Sequence, residues 1–240
     1  MKRTMKLMLL LLCVASTAMA QRPEGTLSVV PRLGVNVSKL SGLEYNYPVE
    51  GGLFSTEKAK AVAGLTVGAD VEYQLTDLFY LSAGLDYSIQ RSKFDNCKAF
   101  DGEDADFQYF TGYSSNKVKT QYIHLPLMVG CYVYNTLSVK AGLQFGYGMS
   151  SKWSCDISAL TVDKVTKEET ATRPKGWSES MTSRMKRLEI GIPVGVAYEY
   201  EHVLLDLRYY HGLTKVFKED NVKNRSLTLT VGYRFDIGKF

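Results

Sequence analysis

The sequence predicts an all-β fold: an eight-stranded antiparallel up-and-down transmembrane β-barrel. Three observations predict it. Eight segments alternate apolar with small or polar residues, and a period of two marks a strand rather than a helix. The second face of these segments is rich in glycine and charge, which suits a polar lumen with the apolar face turned to lipid. The connections alternate between two-residue turns and long polar stretches, the pattern of a barrel with short periplasmic turns and long extracellular loops.

The first strand, 29–38, sends Pro31, Leu33, Val35 and Val37 outward and Arg32, Gly34, Asn36 and Ser38 inward. The second, 62–74, alternates most clearly, with Leu65, Val67, Ala69, Val71 and Tyr73 against Thr66, Gly68, Asp70 and Glu72. The third, 78–90, puts Phe79, Leu81, Leu85 and Ile89 outward and Tyr80, Ser82, Asp86 and Gln90 inward. The fourth and fifth, 120–134 and 137–149, show Ile123, Leu125, Leu127 and Val129, then Val139, Leu143 and Phe145. The sixth, seventh and eighth, 188–200, 203–214 and 226–237, show Ile190, Ile192 and Val194, then Leu205 and Leu207, then Leu227, Leu229 and Val231.

Tight turns are expected near Thr76-Asp77, Asn135-Thr136 and Glu201-His202, and long loops over 39–61, 91–119, 150–187 and 215–225. Tyr73, Phe79, Tyr198, Tyr233 and Phe235 fall near the short-turn rim and Tyr87 and Tyr147 near the loop rim, as two membrane-interface girdles require. Pro126 and Pro193 fall inside strands of a sheet without an edge, so local bulges are expected there. Phe240 is out of phase with Tyr233, Phe235 and Ile237; a bulge near Gly238 would restore it, and otherwise Phe235 is the terminal aromatic and the last residues trail.

Lys2, Arg3 and Lys6, the apolar run 7–14 and Ala18-Met19-Ala20 read as a cleaved leader over residues 1–20, leaving one barrel domain over 21–240. Cys13 does not make a lipidation site, because Leu12 precedes it where a small residue is needed. No later stretch reaches about 18 consecutive apolar residues, so membrane crossing falls to strands. The chain has 29 Lys+Arg against 25 Asp+Glu, a net charge of +4. Loss of the leader's three cations leaves it almost neutral, which argues against nucleic-acid binding. The expected place is the outer membrane of a Gram-negative bacterium. The expected partners are outer-membrane lipid and lipopolysaccharide, with an extracellular ligand or envelope protein at the loops, for a monomer without a cofactor.

A charged layer is expected in the periplasmic half of the lumen: Arg32, Asp70, Glu72, Lys140, Glu199, Asp206, Arg208, Arg234 and Asp236. Buried charges must pair, since each ion loses several kcal/mol of solvation. The layer reads as a salt-bridge plug, or alternatively as a proton or ion path. Eight strands leave room for side chains or one small ligand, not an open pore.

Asp101-Gly-Glu-Asp-Ala-Asp106 places Asp101, Glu103, Asp104 and Asp106 among loop aromatics. It reads as an interaction patch or divalent-cation clip, or as a solvated loop with aromatics packed beneath. Its spacing is not that of an EF-hand. Cys97 and Cys155 fall in adjacent long loops where disulfides persist, and they are expected to pair. Residues 164–173 are either mobile or part of a strand extension above the membrane. Among the histidines, His124 is inward, His202 is in a turn and His211 is in the outward phase. His211 beside Ser226 would suit a lipid A-modifying enzyme, but Ser226 is in the inward phase. No nucleophile elbow, metal-spaced His pair or phosphate loop is present.

The chain resembles the PorT-like outer-membrane β-barrel family of Bacteroidota. The resemblance rests on Arg32-Leu-Gly-Val-Asn-Val-Ser38, Tyr122-Ile-His-Leu-Pro-Leu127, Asp206-Leu-Arg-Tyr-Tyr-His-Gly-Leu213 and Val231-Gly-Tyr-Arg-Phe235. It covers the mature chain and implies fold and location, not substrate. The function expected is a non-enzymatic barrel, structural or binding through its loops. The alternatives are a component of secretion or assembly machinery, as the family name suggests, and a lipid A-modifying enzyme. A soluble lipocalin-like barrel, with Val, Leu and Ile inside, is the alternative fold.

Overall fold

The computed structural model describes residues 23–218 and 221–240; the expected leader lies outside the described residues. In chain order the strands are β1 (Thr26–Ser41), β2 (Glu44–Val49), β3 (Leu53–Lys58), β4 (Lys60–Gln74), β5 (Phe79–Lys93), β6 (Cys97–Glu103) and β7 (Phe107–Tyr134). There follow β8 (Leu137–Asp163), β9 (Glu169–Ala171), β10 (Lys175–Ser180), β11 (Leu188–Tyr200), β12 (Val203–Gly212), β13 (Lys223–Tyr233) and β14 (Phe235–Lys239).

Eight of these, β1, β4, β5, β7, β8, β11, β12 and β13, pair in chain order and antiparallel. The ring closes where β13 meets β1, with Arg32 opposite Gly232 and Val37 opposite Leu227. Closure leaves the spanning strands without an edge, so every ladder group finds a partner without water. Among the described residues no helix is long and apolar enough to cross a membrane; the strands do it.

The side-chain alternation has the orientation that lipid requires. Leu33, Leu85 and Val231 are 62%, 60% and 54% exposed, while Arg32, Asp70 and Asp206 are 4%, 0% and 1% exposed. A lipocalin-like barrel would show the reverse. Tyr233 and Phe235 pack at 4.8 Å between ring centroids on the short-turn rim, and His202 lies 5.7 Å from Tyr233.

The three tight turns are where the sequence places them. Thr76 Oγ1 accepts from the N–H groups of Leu78 and Phe79 at 3.3 and 3.1 Å, and Glu201 turns its hairpin with φ of 54°. The prolines need no bulge. Neither shifts the register. Instead the pairing is interrupted on one side of each, between Ala83↔Leu127 and Asp86↔His124 for Pro126 and between Gly191↔Gln144 and Val194↔Ala141 for Pro193. The other side stays paired, with Pro126 opposite Gln144 and Pro193 opposite Tyr210. A bulge does occur beside Gly238. Leu27 faces Gly238 and Ser28 faces Asp236, so Ile237 is the extra residue. Phe240 is 82% exposed and its N–H donates to Gly25 O.

The long loops depart most from expectation. β7 and β8 run 28 and 27 residues, so both continue well past the spanning segment. They stay paired up to Phe107↔Asp163, with a bulge between Ser114 and Lys117. β6 adds to β7, and β9 and β10 add to β8. Of residues 164–173, Glu169–Ala171 (β9) therefore belongs to a strand extension, and the rest turn or connect it. β2 and β3 form a separate hairpin whose β2 side lies against β6.

Candidate functional site

The lumen is filled in tiers. Nearest the short turns, Arg234 binds Glu72 and, at 3.1 Å, Glu199. Tyr80 sits beside this group, sharing a hydrogen bond of 3.0 Å with Ser138 and packing on Tyr132. Above it, Arg32 lies 3.0 Å from Asp70 and 2.5 Å from Asp86, Arg208 binds Asp70 and Asp206, and Lys140 binds Asp206. This tier holds three cations and three carboxylates, so it neutralises itself. The inward phase of five strands delivers these groups to one height, and the cost of an unpaired ion in a dry interior dictates their pairing.

Two members differ from expectation. Asp236 is exposed at the rim, where it accepts from Ser28 Oγ at 2.6 Å, because it belongs to β14 beyond the point where the ring closes. Asp86, inward on β5 but not among the residues expected in the layer, belongs to the plug; the reach of the Arg32 guanidinium brings it in.

Higher still, His124 stacks on Tyr122 at 5.2 Å and lies 6.0 Å from Tyr210. Asn224 donates to Gln90 at 2.6 Å, and Glu189 is buried in the same layer. The inward phase of Leu188-Glu189-Ile190 was the signal for that acid. A cavity of about 30 Å³, bordered by Arg32, Asp86, His124, Arg208 and Tyr210, has room for about one water. An apolar cap follows. Leu40, Leu43, Phe94, Val118, Met181, Met185, Phe217 and Val222 form one buried cluster, with Tyr45 and Trp153 against it. The bases of the long loops thus fold inward, and Met185 bridges to Phe217.

Beyond the cap lies the strand extension. Tyr45, Tyr113, Trp153, Trp177, Glu179 and Arg184 border a hollow of about 350 Å³. Tyr45 meets Tyr113 and Trp153 edge-on at 5.7 and 5.6 Å. The Trp153 indole donates to Asn116 Oδ1 at 2.5 Å, which fixes the ring. Burial pushes the Tyr45 hydroxyl well above its usual range, with Tyr113 adding to the shift. Pairing of Trp177 with Cys155 and of Glu179 with Trp153 places both Trp177 and Glu179 at the hollow. The β8–β10 pairing is what joins Trp153 and Trp177.

The acidic stretch does not converge on a point. Asp104 accepts from Asp106 and Phe107 N–H and from the Tyr109 hydroxyl, Asp101 accepts from Thr111, and Glu103 pairs with Lys164 at 3.1 Å. These bonds build a hairpin turn, and among the described residues no group of acids, His or Cys is placed to hold a metal. Cys97 and Cys155 are both buried free thiols, so the expected staple is not made. They lie on β6 and β8 with β7 between them. That is two strand spacings, roughly 10 Å, beyond the roughly 7 Å between Cα atoms that a disulfide spans. Burial pushes the Cys97 thiol up to about 11 and raises that of Cys155. His211 is opposite Arg225 and only half-buried, while Ser226 is opposite Tyr210 and buried inward, so the two diverge.

A closed eight-stranded ring, apolar outside and ionic within, defines a transmembrane β-barrel. The chain belongs to the family of the outer membrane protein beta-barrel domain, which matches residues 19–218, and the protein is accordingly an outer-membrane protein of the Gram-negative envelope. Among solved structures it is similar to the attachment invasion locus protein Ail of Yersinia pestis, at 14% identity, 89% of this chain, 100% of that chain and a TM-score of 0.40. It is also similar to Neisserial surface protein A, at 15% identity, 88% of this chain, 100% of that chain and a TM-score of 0.39. No curated protein matches the chain in sequence.

Proposed function

We propose that this is a non-enzymatic, non-conducting outer-membrane barrel that binds a ligand at its extracellular extension. The observation that carries the proposal is the aromatic hollow above a lumen filled by an ionic plug and an apolar cap. Four rings offer flat apolar faces, while Glu179 and Arg184 offer an acceptor and a bidentate donor. That combination suits a sugar ring, which has apolar faces and a hydroxyl rim, and the volume suits a small ligand of one or two such rings. The divergence of His211 and Ser226 supports a non-enzymatic role, because a lipid A-modifying site would need them together.

The test titrates soluble oligosaccharides against the emission of Trp153 and Trp177 in the folded barrel. Saturable quenching that Trp177→Ala and Tyr113→Ala each weaken is expected. Quenching unaffected by these changes, or porin-scale currents in planar bilayers, would overturn the reading. The four motifs from Arg32 to Phe235 support a second reading, a PorT-like member of Bacteroidota serving secretion. A deletion strain with an unchanged set of secreted proteins would remove it.

A further inference from the structure

Just beyond the apolar belt the outer wall of the barrel changes character. Arg91 and Lys93 on β5, Lys117 and Lys119 on β7, Lys152 on β8 and Lys60 on β4 form one contiguous outward patch. The belt below ends at Ile89, Ile123 and Met149, so the patch begins just beyond it, at the next outward residue after Ile89 on β5 and past Gln121 and Ser150 on β7 and β8. Cations face cations across the ladder: Lys60 opposite Lys93, Lys93 opposite Lys117, Arg91 opposite Lys119, and Lys119 opposite Lys152. One strand beyond β4, on β1, Lys39 likewise faces Arg225 of β13. Like charges directly opposite destabilise a sheet. Among the described residues the only ion pair to this patch is that of Lys60 with Asp95. The other rim is different. Among the described residues Lys239 is its only exposed cation, because Arg32, Lys140, Arg208 and Arg234 are all turned inward.

A hollow of about 490 Å³ opens beside the patch, bordered by Arg91, Lys93, Asp95, Asn96, Ser115 and Lys117. It lies where β5 gives way to β6 as the partner of β7, beside the β7 bulge between Ser114 and Lys117, with Ser115 at φ of 52°. From β4 to β8 the patch crosses three strand spacings, roughly 14 Å. That is wider than a single phosphate, and the hollow beside it would take sugar.

We infer that this patch binds the phosphorylated glycolipid headgroup of the outer leaflet, its phosphates bridging the facing cations and its sugar seated in the hollow at the β7 bulge. Charge-assisted bonds from Arg and Lys to phosphate are the strong class of hydrogen bond. Each phosphate placed between two facing cations turns a repulsion into an attraction. The site is separate from the aromatic hollow and does not depend on that proposal.

The test uses the full-length barrel in nanodiscs of zwitterionic lipid, with the heat-dependent gel shift of a folded barrel checked first. Adducts are measured by native mass spectrometry with bisphosphorylated lipid A, dephosphorylated lipid A, phosphatidylglycerol and inorganic phosphate. The phosphorylated form should bind roughly tenfold more tightly than the dephosphorylated one. The combined variant Arg91→Gln/Lys93→Gln/Lys117→Gln/Lys119→Gln/Lys152→Gln should lose that preference. The variant Lys58→Gln/Lys164→Gln/Lys167→Gln, which changes cations of the extension away from the patch, should keep it. Equal binding of both lipid A forms by a folded barrel would overturn the inference, as would full retention in the combined variant. Equal binding of phosphatidylglycerol, or full competition by inorganic phosphate, would reduce the patch to a general anion surface and overturn the glycolipid assignment. All of these results leave the fluorescence test of the aromatic hollow untouched.

Discussion

Arg32 Nη2 lies 2.5 Å from Asp86 Oδ2, and this bond joins β1 to β5 across the lumen, past the intervening β4. Neighbouring strands of a barrel are already tied by their ladder. A bond between strands that are not neighbours braces the lumen instead, and here it does so through the barrel's own charge.

Arg234 pairs with both Glu72 and Glu199 in the lowest tier. Arg234→Leu leaves two buried carboxylates without it and should destabilise the barrel by about 3–5 kcal/mol. Urea-driven unfolding from lipid vesicles, followed by tryptophan emission, measures the loss. The triple change Arg234→Leu/Glu72→Leu/Glu199→Leu should recover most of it, since the penalty lies in the stranded charges. A single variant as stable as the native chain would contradict the plug.

The inward face of Gly130 is occupied by the Tyr80 ring, which lies 2.1 Å from where a Cβ would stand. Gly130→Ala should therefore cost about 1–3 kcal/mol by overpacking. Tyr80→Phe should cost less, because it keeps the ring and gives up only the bond to Ser138. The same unfolding measurement ranks the two, and the reverse order would be wrong for this packing.

The tip of the β6–β7 hairpin should soften in acid. Hydrogen bonds from the Tyr109 hydroxyl and from the Phe107 and Asp106 N–H groups hold the Asp104 carboxyl below its ordinary value of 3.8. A lowered folded value means that the stabilisation is complete above about 3.8 and is lost as pH falls through the folded value. Amide exchange over residues 104–107 should accelerate, beyond its intrinsic pH dependence, as pH falls below about 3.8. In Asp104→Asn the extra change should vanish.

Cys97 and Cys155 should run identically on gels with and without reductant, and both should resist maleimide at neutral pH until the barrel unfolds. The raised thiol of Cys97, at about 11, leaves little thiolate to react. A mobility shift on reduction would restore the staple that sequence spacing suggests.

The ring strands were legible because one face of each meets lipid and the other meets charge, so the period of two is uninterrupted; 188–200 matches β11 to the residue. The ionic plug was legible for the same reason, since residues such as Asp70, Arg208 and Lys140 share the inward phase. Legibility failed where a contact depends on reach or on the end of the ring. Asp86 joined the plug through a long guanidinium, and Asp236 left it beyond ring closure. It failed again above the membrane. There β7 and β8 carry polar residues on both faces, as in Ser114, Asn116 and Ser154, so no amphipathic contrast marks the strand.

Alternation, with glycine and charge on the second face and short turns between long loops, pointed to an eight-stranded barrel with its aliphatic side chains in lipid, because backbone groups in hydrocarbon have few ways to be satisfied and a two-residue period admits one of them. Folding in three dimensions decided what the barrel carries. It capped the lumen with an apolar cluster that includes Leu40, Phe94, Met185 and Phe217, gathered Tyr45, Tyr113, Trp153 and Trp177 into one hollow, and set Arg91 opposite Lys119 on the outer wall. Those juxtapositions depend on cross-strand register and loop packing, which bring together residues far apart in the chain.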